Sequence, residues 1–189
     1  MKKKQLTLYV LTHTETYYNR RRLFTGQTDS ILTPLGHKQA KGQAERLKNK
    51  KIGLAFISPL RRTKQTLVHI AKYHPGIEIC MDERLAERDY GQLAGKSKPK
   101  YKRENPKLYK SHHRSYEIPP PGGESMVAVE KRVLPFLRSV IDLMQKKQKN
   151  AVIVGHNNSL RPIRRYFEKL SPRQMMRLDN YHKIFRYKI

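Results

Sequence analysis

The sequence predicts an α/β protein, a three-layer α/β/α sandwich in which helices cover both faces of a mainly parallel sheet. Short apolar runs alternate with longer amphipathic ones, an order typical of parallel strands joined by helices. The chain has 189 residues, enough for a domain with a proper hydrophobic core. Because no repeat or interdomain linker is evident, we expect one domain over residues 1–189.

Five short apolar runs are predicted to form the strands of this sheet. They are rich in β-branched, leucine and aromatic residues, a composition that favours buried strands. Their ranges are 5–11, 54–57, 77–81, 151–154 and 184–189.

Helices are predicted between these strands. Thr33 and Pro34 supply an N-cap and a first-turn proline for a helix that runs to about Lys48. Apolar residues three or four apart, such as Val129 and Val133, predict one buried stripe on a long helix. Further helices are expected at 58–73, 126–147 and 159–170, with a short one before the last strand.

The segment 83–121 is predicted to be loop-rich, because it contains five prolines and many lysines. Loops of that length inside a domain are usually lids or binding loops. We therefore expect a lid-like segment at about 92–124.

The composition is strongly basic, with 41 Lys and Arg against 15 Asp and Glu and a net charge of +26. Such a charge favours polyanionic partners, but the basic residues are spread along the whole chain, from Lys2–Lys4 onwards. Any nucleic-acid binding is therefore expected to be non-specific. The single cysteine excludes a disulfide framework and a cysteine-cluster metal site. No apolar run is long enough for a membrane span or a signal peptide, so a cytoplasmic protein is expected.

Polar side chains follow four of the predicted strands. His13 follows the first strand, Arg62 the second, Glu87 the third and His156 the fourth. The carboxyl ends of parallel strands meet at one edge of a sheet, where ligands bind in open α/β folds. We therefore expect these four side chains to converge. Taken singly, each has an ordinary structural explanation, such as a solvated arginine or a satisfied core histidine.

Five stretches of the chain resemble the histidine phosphatase superfamily, and most closely its 2,3-bisphosphoglycerate-dependent phosphoglycerate mutases. The stretches lie at 23–36, 58–66, 84–91, 114–125 and 156–161. The resemblance implies a phosphoglycerate mutase-like fold. It also implies interconversion of 3- and 2-phosphoglycerate, a step of glycolysis and gluconeogenesis, through a phosphohistidine.

The resemblance implies a role for each site residue. His13 would be the nucleophile, Glu87 the general acid–base and His156 a neighbouring hydrogen-bond donor. The residues expected to bind phosphate or substrate are Thr12, Asn19, Thr25, Gly26, Arg62, Tyr90, Lys98, His113, Arg114, Asn157 and Asn158. 2,3-Bisphosphoglycerate would serve as phosphoryl primer, with no permanently bound cofactor and no metal. The expected partner is a small phosphorylated carboxylic acid, and a homodimer is left open.

Two motifs depart from the family pattern, at three positions. Thr12-His13-Thr14 stands where the superfamily has Arg-His-Gly, and Asn157 stands where it usually has glycine. Loss of one charged hydrogen bond would weaken phosphate binding by about 10- to 100-fold. On this basis Thr12→Arg would be expected to raise turnover. Two alternatives to the mutase remain open: a phosphatase of small phosphomonoesters with the same chemistry, and a catalytically weakened relative that binds polyanions.

Overall fold

The computed structural model describes residues 5–189, and the Lys2–Lys4 run lies outside them. Its strands form one sheet in the order β3-β2-β4-β1-β5. They are β1 (Thr7–Thr12), β2 (Ile52–Ile57), β3 (Glu78–Met81), β4 (Asn150–Gly155) and β5 (Ile184–Lys188). The first four pair in parallel, and β5 runs antiparallel to β1 at the edge. The predicted mainly parallel sheet is confirmed.

Eight α-helices lie within the described part of the chain. They are α1 (Tyr17–Arg20), α2 (Pro34–Leu47), α3 (Arg61–Ala71), α4 (Lys98–Glu104), α5 (Pro106–Arg114), α6 (Met126–Lys147), α7 (Leu160–Glu168) and α8 (Pro172–Met176). Side-chain caps fix several starts: Thr33 accepts a hydrogen bond from Gly36 N at 2.9 Å, and Ser125 accepts one from Ala128 N at 3.1 Å.

Two hydrophobic clusters cover the two faces of the sheet. Val10 and Ile153 belong to the cluster that includes the apolar stripe of α6, whereas Leu11 and Val154 pack with residues of α2 and α3. Neighbouring strand residues alternate between the clusters because side chains of a strand point to opposite faces. The result is the predicted three-layer α/β/α sandwich.

The prediction that 83–121 is loop-rich is wrong for its central part, which forms α4 and α5. Pro99 and Pro106 lie in the first turns of these helices, where a missing N–H costs nothing. Neither helix buries a residue fully, so neither has the apolar stripe by which a helix is recognised in sequence. Tyr101 and Tyr109 pack against the buried ring of Phe24, which attaches this helix pair to the body.

The carboxyl ends of β1, β2 and β4 lie next to one another at one edge of the sheet. Thr12 pairs with Gly155, so the residues after them are neighbours, and His13 N donates to the Gly155 carbonyl at 3.0 Å. This edge carries the candidate site. Among residues 5–189 no helix is both long and apolar enough to cross a bilayer.

Candidate active site

His13 and His156 lie side by side directly after β1 and β4. Their ring centroids are 5.2 Å apart and their planes are inclined by 60°. His13 is 5% exposed and His156 is fully buried. The parallel pairing of β1 with β4 therefore brings together two histidines that are 143 positions apart in the chain.

His13 presents one unprotonated ring nitrogen to the site. Its Nδ1 lies 2.8 Å from the Thr14 carbonyl oxygen, which can only accept, so Nδ1 carries the proton. Burial, and to a lesser extent the charge of Arg62, lower the pKa of His13 to about 3. At neutral pH the ring is uncharged and its Nε2 lone pair is available as a nucleophile.

Arg62 is held rigidly beside the two histidines. It is fully buried in the first turn of α3, and its Nη2 donates to Gly26 O at 2.7 Å and its Nη1 to Thr28 O at 3.0 Å. Its Nε donates to His156 Nδ1 at 3.2 Å. Burial lowers the pKa of Arg62, but a guanidinium keeps its charge in proteins. The site therefore contains a fixed positive charge.

His156 is fixed on both sides of its ring. Because Nδ1 accepts from Arg62, the proton lies on Nε2, which donates to Ser58 Oγ at 2.7 Å. Burial first, then Arg62, holds the pKa of His156 well below its usual range. Ser58 follows β2 and is the orienting group that the sequence did not assign.

Glu87 is anchored through one carboxylate oxygen. Its Oε1 accepts from the backbone N–H of Arg88 at 2.8 Å and of Asn158 at 3.2 Å. Its side chain is 7% exposed and lines the same cavity as His13. One oxygen is thus occupied by the backbone, and Oε2 accepts no hydrogen bond from residues 5–189.

A hydrogen-bonded group of three side chains also lines the site, formed by Tyr90, His113 and Asn158. The Tyr90 hydroxyl lies 2.9 Å from His113 Nδ1 and 3.5 Å from Asn158 Nδ2. Burial, followed by the charge of Arg114, lowers the pKa of His113 to about 2, so this ring is neutral. Lys98 lies above the Phe24 ring at 5.6 Å, and burial lowers its pKa.

The predicted residues surround a narrow cavity of about 30 Å³. It is lined by His13, Asn19, Thr25, Gly26, Arg62, Glu87, Tyr90, Lys98, His113, Asn157, Asn158 and Tyr181. Arg114 lines an adjoining cavity of about 280 Å³, and His156 lies behind His13 and Arg62. A third cavity of about 300 Å³ adjoins both and shares Lys98 and Tyr181 with them.

Thr25 and Gly26 lie next to each other in this wall. The buried Thr25 hydroxyl makes no hydrogen bond within residues 5–189. Gly26 has a φ of +52°, and a Cβ at this position would lie 3.0 Å from Tyr90 N. Since an unpaired buried hydroxyl costs free energy, Thr25 fits a site that is completed by a polar group from a ligand.

Thr12 corrects the expectation drawn from the sequence. Its side chain is fully buried, lines none of these three cavities, and donates from Oγ1 to the Asn180 carbonyl at 3.2 Å. Thr12 is therefore a contact of the segment before β5 rather than a phosphate ligand.

The cavities also contain residues that sequence reasoning missed. They include Arg22, Lys102, Arg161 and Tyr181. Arg161 lies in the stretch 156–161, and its buried Nε has no hydrogen-bond partner within residues 5–189. Arg22 and Lys102 could not be distinguished among so many cations, and no motif marked Tyr181. Within residues 5–189 no group of three or more potential metal ligands occurs.

The family model "Histidine phosphatase superfamily (branch 1)" matches residues 8–184. A 2,3-bisphosphoglycerate-dependent phosphoglycerate mutase of Brucella melitensis is 36% identical over 181 residues, which are 92% of this chain and 86% of that protein.

Solved structures of similar fold carry other names. A mycobacterial glucosyl-3-phosphoglycerate phosphatase in complex with VO3 is 25% identical, with a TM-score of 0.85 over 96% of this chain and 92% of that one. The α-ribazole phosphatase of Shigella flexneri, at 20% identity, has a TM-score of 0.80 over 96% of this chain and 89% of that one. The second likeness concerns the fold alone.

Proposed function

The chain belongs to the histidine phosphatase superfamily, a superfamily of enzymes, and we propose that it is a phosphoglycerate mutase that interconverts 3- and 2-phosphoglycerate through a phosphorylated His13. One observation carries the proposal: the Nε2 of the neutral His13 ring makes no hydrogen bond with any described residue, and the ring lies beside the immobilised charge of Arg62. Phosphoryl transfer needs mainly a positioned nucleophile and fixed positive charge.

The first half-reaction makes one bond and breaks one. The Nε2 lone pair of His13 attacks phosphorus, and the bond from phosphorus to the substrate oxygen breaks. Glu87 donates a proton to the departing oxygen, for which its Oε2 is available. In the second half-reaction another substrate hydroxyl gives its proton to Glu87 and attacks phosphorus, and the P–N bond breaks.

The phosphoryl oxygens are stabilised by charge and by hydrogen bonds. Arg62 faces them as a guanidinium whose direction is fixed by Gly26 and Thr28. His156, bound to Arg62 through Nδ1 and to Ser58 through Nε2, helps to hold that guanidinium in place beside the phosphoryl group. The Thr25 hydroxyl gains a hydrogen-bond partner, which it lacks within residues 5–189.

The residues present fit 2,3-bisphosphoglycerate, which supplies the phosphoryl group that primes His13. One phosphoryl group would lie against Arg62, and Lys98, Arg114 and Arg161 of the wider cavity would hold the carboxylate and the second phosphate. Five cationic side chains and no carboxylate line that cavity within the described residues. This lining favours a substrate with a second anionic group.

The helix pair α4–α5 would act as the lid that was expected at about 92–124. It contributes Lys98, Lys102, Tyr109, His113 and Arg114 to the cavity walls. A lid that holds the intermediate is what a mutase needs, because water would otherwise intercept the phosphoryl group.

A phosphatase of small phosphomonoesters is the second candidate. The 25% identity to the mycobacterial phosphatase over 96% of the chain supports it. Both candidates use the same half-reaction at His13 and differ in whether water or the substrate hydroxyl accepts the phosphoryl group.

The test is to incubate the protein with 2,3-bisphosphoglycerate and 3-phosphoglycerate, and to follow intact mass, 2-phosphoglycerate and released phosphate. A mutase gives phosphorylated His13 and 2-phosphoglycerate faster than phosphate, whereas phosphate as the main product favours the phosphatase. His13→Asn is the control and should abolish both products. Absence of phosphorylation at His13 would reject both candidates and leave the polyanion-binding relative.

Cytoplasmic location, homodimer formation and non-specific nucleic-acid binding stay predictions. The charge of +26 supports the last of them, and a salt-sensitive affinity without sequence preference is the expected result.

A further inference from the structure

Asn180, just before β5, is held by residues from three parts of the chain. It is fully buried, and its carbonyl accepts from Thr12 Oγ1 at 3.2 Å. Its backbone N donates to Asn157 Oδ1 at 3.2 Å and its Nδ2 to Asn157 O at 2.8 Å, while Arg164 Nη1 donates to its Oδ1 at 2.9 Å. Thr12 and Asn157, two of the three residues that depart from the family pattern, thus bind the same residue.

This anchoring fixes the direction of the next residue, Tyr181. Its backbone N donates to Asp179 Oδ1 at 3.2 Å, and its side chain lines all three cavities of the site. The hydroxyl makes no hydrogen bond within residues 5–189. Tyr181 therefore brings an unpaired polar group into the site.

Tyr181 also lines the narrow cavity of about 30 Å³. Tyr181 shares that wall with His13, Arg62 and Glu87. Burial, followed by the charge of Glu87, raises the pKa of Tyr181, so the phenol keeps its proton and is a donor.

We propose that Tyr181 is a further substrate-binding residue, whose hydroxyl donates a hydrogen bond to the phosphoryl group at His13, and that Asn180, held by Thr12 and Asn157, positions it. The proposal rests on the proposed function, since it concerns the same phosphoryl group. Asn180 and Tyr181, in the segment before β5, would then contribute to phosphate binding.

Tyr181→Phe removes only the hydroxyl and tests the contact directly. The probe is inorganic phosphate, and its Kd is measured by titration calorimetry at fixed ionic strength. We expect binding to weaken by about 10- to 100-fold, as for one hydrogen bond to a charged group. Tm should not change, because the hydroxyl has no hydrogen-bond partner within residues 5–189. Tyr166→Phe is the matched control: Tyr166 is 43% exposed on α7 and lines none of the three cavities.

An unchanged Kd for Tyr181→Phe would overturn the proposal, as would a wild-type protein that does not bind phosphate. Phosphate affinity that depends on Tyr181 in a protein whose His13 is never phosphorylated would support the contact and reject the proposed function. The two failures are therefore distinguishable.

Thr12→Val tests the positioning role by removing the hydrogen bond to Asn180. We expect Thr12→Val to weaken phosphate binding when it is introduced into the wild-type protein. Introduced into Tyr181→Phe, it should weaken phosphate binding little further, because both changes remove the same contact. An equal loss of phosphate affinity in both proteins would show that Thr12 does not act through Tyr181.

Discussion

The Nε of Arg62 donates to Nδ1 of His156 at 3.2 Å, so the positive charge of the site and its second histidine form one unit. The remaining nitrogens of Arg62 are bound to the backbone of Gly26 and Thr28, and the other nitrogen of His156 is bound to Ser58. A site in which the charge is already oriented loses little free energy to reorganisation when the phosphoryl group arrives.

Arg62→Lys should impair the reaction although the charge is kept. A lysine has its donors on a single nitrogen and cannot reach the three separate acceptors that the guanidinium binds, so the charge is no longer fixed. We expect the rate of His13 phosphorylation to fall by about 100- to 1000-fold, measured by quenched intact mass. Arg61→Lys is the matched control, since Arg61 is exposed one residue away. Equal rates for Arg62→Lys and wild type would contradict the role given to Arg62.

Glu87→Gln should slow proton transfer and leave phosphate binding intact. The amide oxygen can still accept from the N–H groups of Arg88 and Asn158, so the local structure is kept. Loss of a general acid–base costs about 100- to 10,000-fold in rate. A substrate whose leaving group needs no proton, such as p-nitrophenyl phosphate, should lose much less. Glu83→Gln is the control, because Glu83 is exposed. If Glu87→Gln lowered the rate equally on both substrates, Glu87 would not be the general acid–base.

The buried neutral histidines should make the protein less stable in acid. The pKa of His113 is lowered to about 2 and that of His13 to about 3, so between these values and about pH 6.5 the unfolded chain binds more protons than the folded one. The free energy of unfolding therefore falls as pH is lowered through that window and is constant above it.

His113→Asn should make the free energy of unfolding less dependent on pH. The slope of that free energy against pH should fall by about 1.4 kcal/mol per pH unit between pH 5.5 and 4, measured by urea unfolding. His182→Asn is the control, because His182 is exposed and its φ of +59° suits asparagine. A slope that His113→Asn leaves unchanged would show that this ring is not held neutral.

Thr12→Arg should not raise turnover, contrary to the expectation from the sequence. The Thr12 side chain is fully buried against Asn180, so an arginine there displaces the segment that carries Tyr181. We expect a less stable protein, by about 1–3 kcal/mol, and weaker phosphate binding, both followed in the same titrations. Faster turnover at an unchanged Tm would instead indicate that Thr12 only deprives the site of a charged hydrogen-bond donor.

The sequence predicted the groups that follow directly from strand order. His13 and His156 come after β1 and β4, so the alternation of strands and helices was enough to place them together. The helices α4 and α5 were missed because they bury no residue fully and carry no apolar stripe. Tyr181 could not be predicted, since its direction depends on a contact between Thr12 and Asn180 that spans 168 positions.

If His13 is the nucleophile that accepts the phosphoryl group, incubation with 2,3-bisphosphoglycerate adds one phosphoryl group to the intact mass of the protein. Fragmentation under neutral conditions should map this group to His13, and His13→Asn should stay unmodified. An unmodified wild-type protein, or a phosphoryl group on another residue, would show that His13 is not the nucleophile.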